Sequence, residues 1–212
     1  MRPFMVMELV DGGDVDPQDG NRPSLFDLSG KRFKKATRFR KRDVKQIANY
    51  LQEDLNFSNN RNHPYSPKDQ VAIALMHLAG GHFQRINGLA AGGLSQNGSR
   101  VICMRVVEAL VKKRGDWLFF PSVGEQRATA KRLHKRFGLK GFIGGVDGCH
   151  MRWQKQIRGL RPNVDPQVFW CRKNFYSINC QLVCNDKRII DVDCAHSGTT
   201  HNAHVWHHGS MA

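Results

Sequence analysis

The sequence predicts an α/β chain of the α+β kind, with helices to about residue 136 and strands after it. Three observations predict this. Val44, Ile47, Leu51 and Leu55 recur at the spacing of one helix face. Ile178, Cys180, Leu182 and Cys184 alternate with Asn179, Gln181 and Val183, the period of a strand. The stretch Cys184–Ile190 then turns into a second run, Arg188–Ala195, so the two strands are antiparallel neighbours.

The chain has 212 residues, of which 40% are hydrophobic, enough for one large domain or two small ones. Its 33 Lys and Arg against 18 Asp and Glu leave a net charge of +15. Such a field favours a polyanion, with nucleic acid ahead of an anionic membrane. The N-terminus turns acidic without a long apolar region, so it does not read as a signal peptide. No apolar run approaches membrane-spanning length, and no membrane partner is expected. The six Cys lack the spacing of a secreted scaffold and read as free thiols in a reducing compartment.

Along the chain, residues 1 to about 30 are acidic and rich in Gly and Pro, the composition of a disordered tail. The sign of the charge then flips. Lys31, Arg32, Lys34, Lys35, Arg38, Arg40, Lys41 and Arg42 form a basic run with Phe33 and Phe39 interleaved. The run suits a phosphate-contacting arm or a nuclear import signal, and its two aromatics can pack or stack. A solvated helix face is the alternative, and the density of the run and its two aromatics favour the functional reading.

Residues 31–136 are expected to be a basic helical region. Asn56–Pro67 reads as a loop, and Ser66 before Pro67 as a helix start. Val71, Ala74, Leu75 and Leu78 then mark one apolar face, ended by Gly80 and Gly81. A short helix over Phe83–Ala90, a turn at Ala91–Gly93 and a longer helix capped by Ser95 give a helix-turn-helix-like pattern. Arg100, Arg105, Lys112 and Lys113 would line the exposed side of that longer helix. Gln96, Asn97 and Ser99 would approach base edges, although Gly98 weakens the helix.

Residues 137–212 change to strands. Phe142–Asp147 is read as a short buried strand, His150–Gln156 as a second, Arg158–Gln167 as a proline-containing loop, and the His-rich end as the start of a helix. Asp147 stands out. Aspartate is depleted from strands and costly to bury unpaired, so it should hold something or be held. A carboxylate satisfied by backbone amides in a turn is the simpler alternative to a ligand.

Four segments in order then carry a resemblance. They are Asp147-Gly148-Cys149-His150, Trp170-Cys171-Arg172-Lys173-Asn174, Ser177-Ile178-Asn179-Cys180-Gln181 running on to Val183-Cys184-Asn185, and Gly198-Thr199-Thr200-His201-Asn202-Ala203. With the helix starts at Ser66-Pro67 and Leu94-Ser95-Gln96, they make the chain from about Phe39 onward resemble the Harbinger (PIF) class of DDE transposases and the nuclease derived from it. The resemblance implies an RNase H-like mixed sheet over residues 137–212. It implies Asp147 as the first catalytic and metal-binding acid, for divalent Mg or Mn. It also implies DNA as substrate, a Myb-like partner protein, and a nuclear location with the cytoplasm left open.

The same resemblance sets limits. The class places its second acid on a later strand and its third on a later helix, and this chain ends at Ala212 before either. The expectation is therefore an incomplete sheet and a chain without cleavage activity of its own. Asn202 stands where the class has an Asp. Asp191 and Asp193 share one strand face and could lie near Asp147, but do not match the class's catalytic positions. Cys180, Cys184, His201, His204, His207 and His208 offer zinc-type ligands, at a spacing longer than a zinc finger's. Two functions follow: a DDE endonuclease-like protein, or a non-enzymatic module that binds DNA or a partner through its basic helical half. If the helical half binds duplex DNA at about six phosphates, log K against log salt should slope at roughly −5. Replacing Lys31, Arg32, Lys34 and Lys35 by Ala should flatten the slope; a wild-type slope near zero rules out the electrostatic mode.

Overall fold

The structure, a computed structural model, describes residues 24–57, 65–80, 93–152 and 164–208. The chain divides into two compact units, Met1–Lys113 and Arg114–Ala212. The first is helical. The second joins one long helix to a four-stranded antiparallel sheet and a short helix. The architecture is α+β, as expected, and is consistent with part of an RNase H-like sheet.

In the first unit the helices are α1 (Gly30–Thr37), α2 (Lys41–Tyr50), α3 (Gln52–Leu55), α4 (Pro67–Gly80) and α5 (Gln96–Lys112). Ahead of them Leu25–Asp27 form a 3₁₀ turn capped reciprocally by Ser24 and Asp27, with Leu25 buried. Residues 24–30 are thus ordered, against the expected tail; residues 1–23 lie outside the described residues. The basic run is not one arm but two helices broken at Arg38, whose φ of 68° ends α1. Phe33 is fully buried and packs on Phe26 at 4.8 Å between centroids, whereas Phe39 stays exposed. The hydroxyl of Thr37, one turn after Phe33, donates to the Phe33 and Phe39 carbonyls.

Ser66 does start a helix: its hydroxyl accepts from the Asp69 amide and bonds the Asp69 carboxylate. α4 is the helix the others surround, packing against α1, α2, α5 and the Leu25–Asp27 turn. It therefore buries Gln70, Val71, Ala72, Ile73, Ala74 and Met76 rather than the single stripe expected, and it leaves Leu78 exposed. A helix enclosed along its middle turns keeps little polar face in water there. Gln70 is tolerated because its amide donates to the Leu55 and Tyr65 carbonyls, at 2.9 and 2.8 Å.

In the second unit Ser122 and Glu125 form a capping box on α6 (Val123–Phe137), and Gly138, at φ 74°, closes it. The strands are β1 (Gly145–Arg152), β2 (Trp170–Cys171), β3 (Phe175–Cys184) and β4 (Ile189–Ser197). β1 and β4 both pair with β3, antiparallel throughout. The expected strands at Phe142–Asp147 and from His150 are in fact one, beginning at Gly145. It is one strand because its register runs uninterrupted past Gly148 against Gln181, and it is exposed along most of its length rather than buried. Its expected continuation, residues 153–156, lies outside the described residues. The β3–β4 turn is built by Asn185, whose Oδ1 accepts from the Lys187 and Arg188 amides. Arg132 on α6 holds Asp186 of that turn through two bonds, 2.6 and 2.9 Å. The last helix is α7 (Asn202–His208).

The two aromatics of the basic run thus differ by burial alone. Phe33→Ala should cost about 3–5 kcal/mol in chemical denaturation, and Phe39→Ala within about 0.5 kcal/mol; equal effects would show that Phe33 is not a core anchor.

Candidate functional site

The first unit presents most of its expected DNA contacts to solvent. Lys31, Arg32, Lys34, Lys35, Arg38, Arg40 and Arg42 are exposed, as is Arg100. Lys41 is half-buried, and its ammonium donates to the Phe26 carbonyl at 2.7 Å. Arg42 pairs with Asp43 at 3.3 Å, a weak surface contact.

α5 departs from the expected recognition face. It starts at Gln96 with Ser95 capping the Gly98 amide, and it runs through Gly98 to Lys112. The short helix expected before it, Phe83–Ala90, lies outside the described residues. Ser99 is buried and so is not placed to approach base edges. Arg105 is not on the exposed side either. Its guanidinium donates to the Asp54, Leu55 and Asn56 carbonyls and lies 4.1 Å over the Phe57 ring. Those carbonyls end α3, where a helix leaves acceptors unmet, so a cation is drawn there. Lys112 bonds Asp54 at 2.6 Å, and Lys113 donates to the Tyr50 carbonyl. The Lys112 ammonium, before that of Lys113, holds the Asp54 carboxyl below its ordinary value. Sequence spacing showed one cationic face; it could not show that α3 ends against it.

In the second unit Asp147 sits on β1, exposed, and its Oδ1 accepts from the Gly148 amide at 2.8 Å. Residues directly opposite in antiparallel strands share a face. Asp147 faces with Leu182, and Leu182 with Val192. Asp193 lies opposite Gln181, which lies opposite Gly148; Asp191 lies opposite Val183, which lies opposite Val146. Both acids are therefore on the other face from Asp147 and do not meet it. Asp193 instead lies 3.4 Å from His196, Asp186 is held by Arg132, and Asp165 caps the Pro166–Phe169 turn. A hard divalent cation needs several oxygen ligands. The described residues supply one carboxylate on this face and do not fit such an ion.

Nor do the zinc-type ligands assemble. Among the described residues no group of three His, Cys, Asp or Glu side chains is placed to hold a metal. Cys180 faces with Cys149 on the Asp147 side of the sheet, and burial, then a bond to Cys194, pushes its thiol up to about 12.

On the other face the four motif segments converge. A cavity of about 330 Å³ is lined by Gly148 and His150 from the first, Trp170, Arg172 and Lys173 from the second, and Gly198 to Asn202 from the fourth. The third lies beneath it. Ser177 Oγ is 3.1 Å from His150 Nδ1. Asn179, buried, donates from Nδ2 to the Thr200 carbonyl at 2.8 Å and to Asn202 Oδ1 at 3.0 Å. The two glycines are required by close approach. A Cβ on Gly148 would lie 2.5 Å from Asn202 Oδ1, and one on Gly198 would run into the Phe169 carbonyl and Ser177. The more buried side of β3 carries Ser177, Asn179, Gln181 and Val183, whereas on the other side Cys180 is buried and Ile178, Leu182 and Cys184 are half-buried.

With this geometry the comparisons can be placed. The chain is similar to curated proteins named "Putative nuclease HARBI1". The identity is 25% over 197 residues with the relatives from Rattus norvegicus and Bos taurus, covering 91% of this chain and 54% of each relative. With that from Homo sapiens it is 27% over 169 residues, covering 78% of this chain and 46% of the relative. These are Harbinger transposase-derived proteins, and the resemblance read from the four segments agrees with them. The chain spans about half the length of the curated relatives it matches. No family model matches the chain. No solved structure matches it either.

His150 gives this face a pH signature. Burial, then the charges of Lys173 and Arg172, hold its imidazole below the ordinary 6.5. On acidification the unfolded chain takes up this proton first. Stability is then complete above about pH 6.5 and declines as pH falls from there toward the lower folded value. Thermal melts between about pH 7 and 5 should show the decline, and His150→Gln should flatten it; an identical slope in the variant excludes His150 as its source.

Proposed function

We propose that this chain is a Harbinger-derived, DDE endonuclease-like protein that handles DNA, and that these residues by themselves do not cleave it. The similarity to the HARBI1 nucleases supports the class. The observation that carries the second half is the isolation of Asp147, an exposed carboxylate whose sheet face holds Leu182 and Val192 rather than another acid. In-line phosphodiester displacement with two metals needs ligands that bridge both ions about 4 Å apart, and one carboxylate cannot do so. A site for Mg or Mn, if this class of chemistry applies, takes further acids from outside the described residues.

A second reading is a non-enzymatic module that binds DNA or a partner protein. It is favoured by the exposed cations of α1 and α2, from Lys31 to Arg42, which few acids accompany. A Myb-like partner and a nuclear location belong to both readings as expectations of the resemblance. No helix among the described residues is long and apolar enough to cross a membrane.

Plasmid nicking tests the non-cleaving half of the proposal. With Mg²⁺ or Mn²⁺ the chain should nick no faster than buffer, and Asp147→Ala should behave identically. Metal-dependent nicking by wild type that disappears in Asp147→Ala would overturn the non-cleaving reading and make Asp147 a working ligand.

A further inference from the structure

Neither reading uses the cavity on the face opposite Asp147, and its lining has a chemistry of its own. Its residues are Gly148, His150, Trp170, Arg172, Lys173 and Gly198 to Asn202. Among the described residues its lining holds no Asp and no Glu. Arg172 and Lys173 are exposed, and neither has an ion pair among the described residues. Two exposed cations with no carboxylate among the described lining residues suit an anion.

The site is also built in advance. The Thr199 amide and hydroxyl both donate to the Val168 carbonyl, at 3.1 and 2.8 Å. The Thr200 amide donates to the Ser197 carbonyl, and its own carbonyl accepts from buried Asn179. Gly198 is wedged against Phe169 and Ser177 with no space for a side chain. Opposite, the turn carrying Arg172 and Lys173 is closed by the Asn174 amide on the Cys171 carbonyl, with Asn174 at φ 61°. Little ordering is left for a ligand to impose. At the rim Trp170 meets Tyr176 edge to face, 4.9 Å between centroids, and stays 40% exposed. Such a ring stacks on a base whatever its sequence. The volume, about 330 Å³, is at the small end for ligand cavities; it accommodates one nucleotide unit and excludes a duplex.

We propose that this cavity binds a single nucleoside phosphate, the phosphate between Arg172, Lys173 and the Thr199–Thr200 turn and the base against Trp170. The unit can come from a single strand or as a free mononucleotide. The proposal does not rest on the cleavage reading, and its test uses no cleavage assay.

The test is titration of the intact chain with thymidine monophosphate, a thymidine pentanucleotide and inorganic phosphate, by calorimetry and by competition against a labelled pentanucleotide. All three should compete for one site, with inorganic phosphate the weakest. A pentanucleotide at least tenfold tighter than the mononucleotide identifies a strand as the source; equal affinities identify the free nucleotide. Arg172→Gln with Lys173→Gln, both surface changes, should weaken nucleotide binding at least 30-fold or so. Trp170→Leu should weaken it about tenfold while leaving inorganic phosphate unaffected. Because bound phosphate offsets the charges facing His150, the imidazole pKa followed by NMR should rise on adding the mononucleotide. The proposal is overturned if the double variant binds thymidine monophosphate like wild type. It is equally overturned if the His150 titration does not move at saturation, or if a phosphoserine peptide binds where no nucleotide does.

Discussion

The second unit depends on the buried carboxamide of Asn179. Its two donors reach the Thr200 carbonyl and Asn202 Oδ1. That couples the central strand to the turn after β4 and to the start of α7. An amide removed from water is costly unless its hydrogen bonds are met. The Gly198–Asn202 segment, drawn down over β3, meets both donors of Asn179. Gly148 and Gly198 follow from the same constraint, since each stands where a side chain would hold that segment away. The cavity is what remains between the segment thus placed and the turn at Arg172.

A corresponding arrangement holds the first unit. The carbonyl of Leu55 receives Gln70 from α4 and Arg105 from α5, at 2.9 and 3.2 Å. A four-residue helix has hardly any internal hydrogen bonds, so its free acceptors must be met from elsewhere. Arg105 serves that end and stacks on Phe57. A cation counted toward nucleic-acid binding on spacing alone is thus a packing element, and the exposed charge of the unit concentrates on α1 and α2.

The strand periods were legible, but not which side they bury. Ile178, Cys180, Leu182 and Cys184 alternate as a core face should, yet only Cys180 of them is fully covered, while the opposite side buries Ser177, Asn179, Gln181 and Val183. Hydropathy assigns apolar residues to the interior by transfer cost. It is overridden where polar groups find partners in the fold, as Ser177 and Asn179 do. Likewise Val71, Ala74, Leu75 and Leu78 gave α4 its helical period, while its burial along the middle turns required the neighbours that surround it. Asp147 was legible as an acid that local apolar residues do not explain; its exposure and its distance in register from Asp191 and Asp193 were not.

By itself the sequence determined that helices precede strands, the caps at Ser66 and Ser95, the antiparallel β3–β4 pair and the four segments that resemble Harbinger-derived proteins. All of these depend on neighbours within a few residues, where backbone geometry and local hydrogen bonding decide. Only the tertiary structure decided that the four segments meet at one cavity, that Arg105 is engaged and Arg100 exposed, and that Asp147 has no second acid on its face among the described residues. Those outcomes turn on strand register, in which a shift of one residue moves every side chain to the opposite side, and on long-range hydrogen bonds that no spacing in the sequence records.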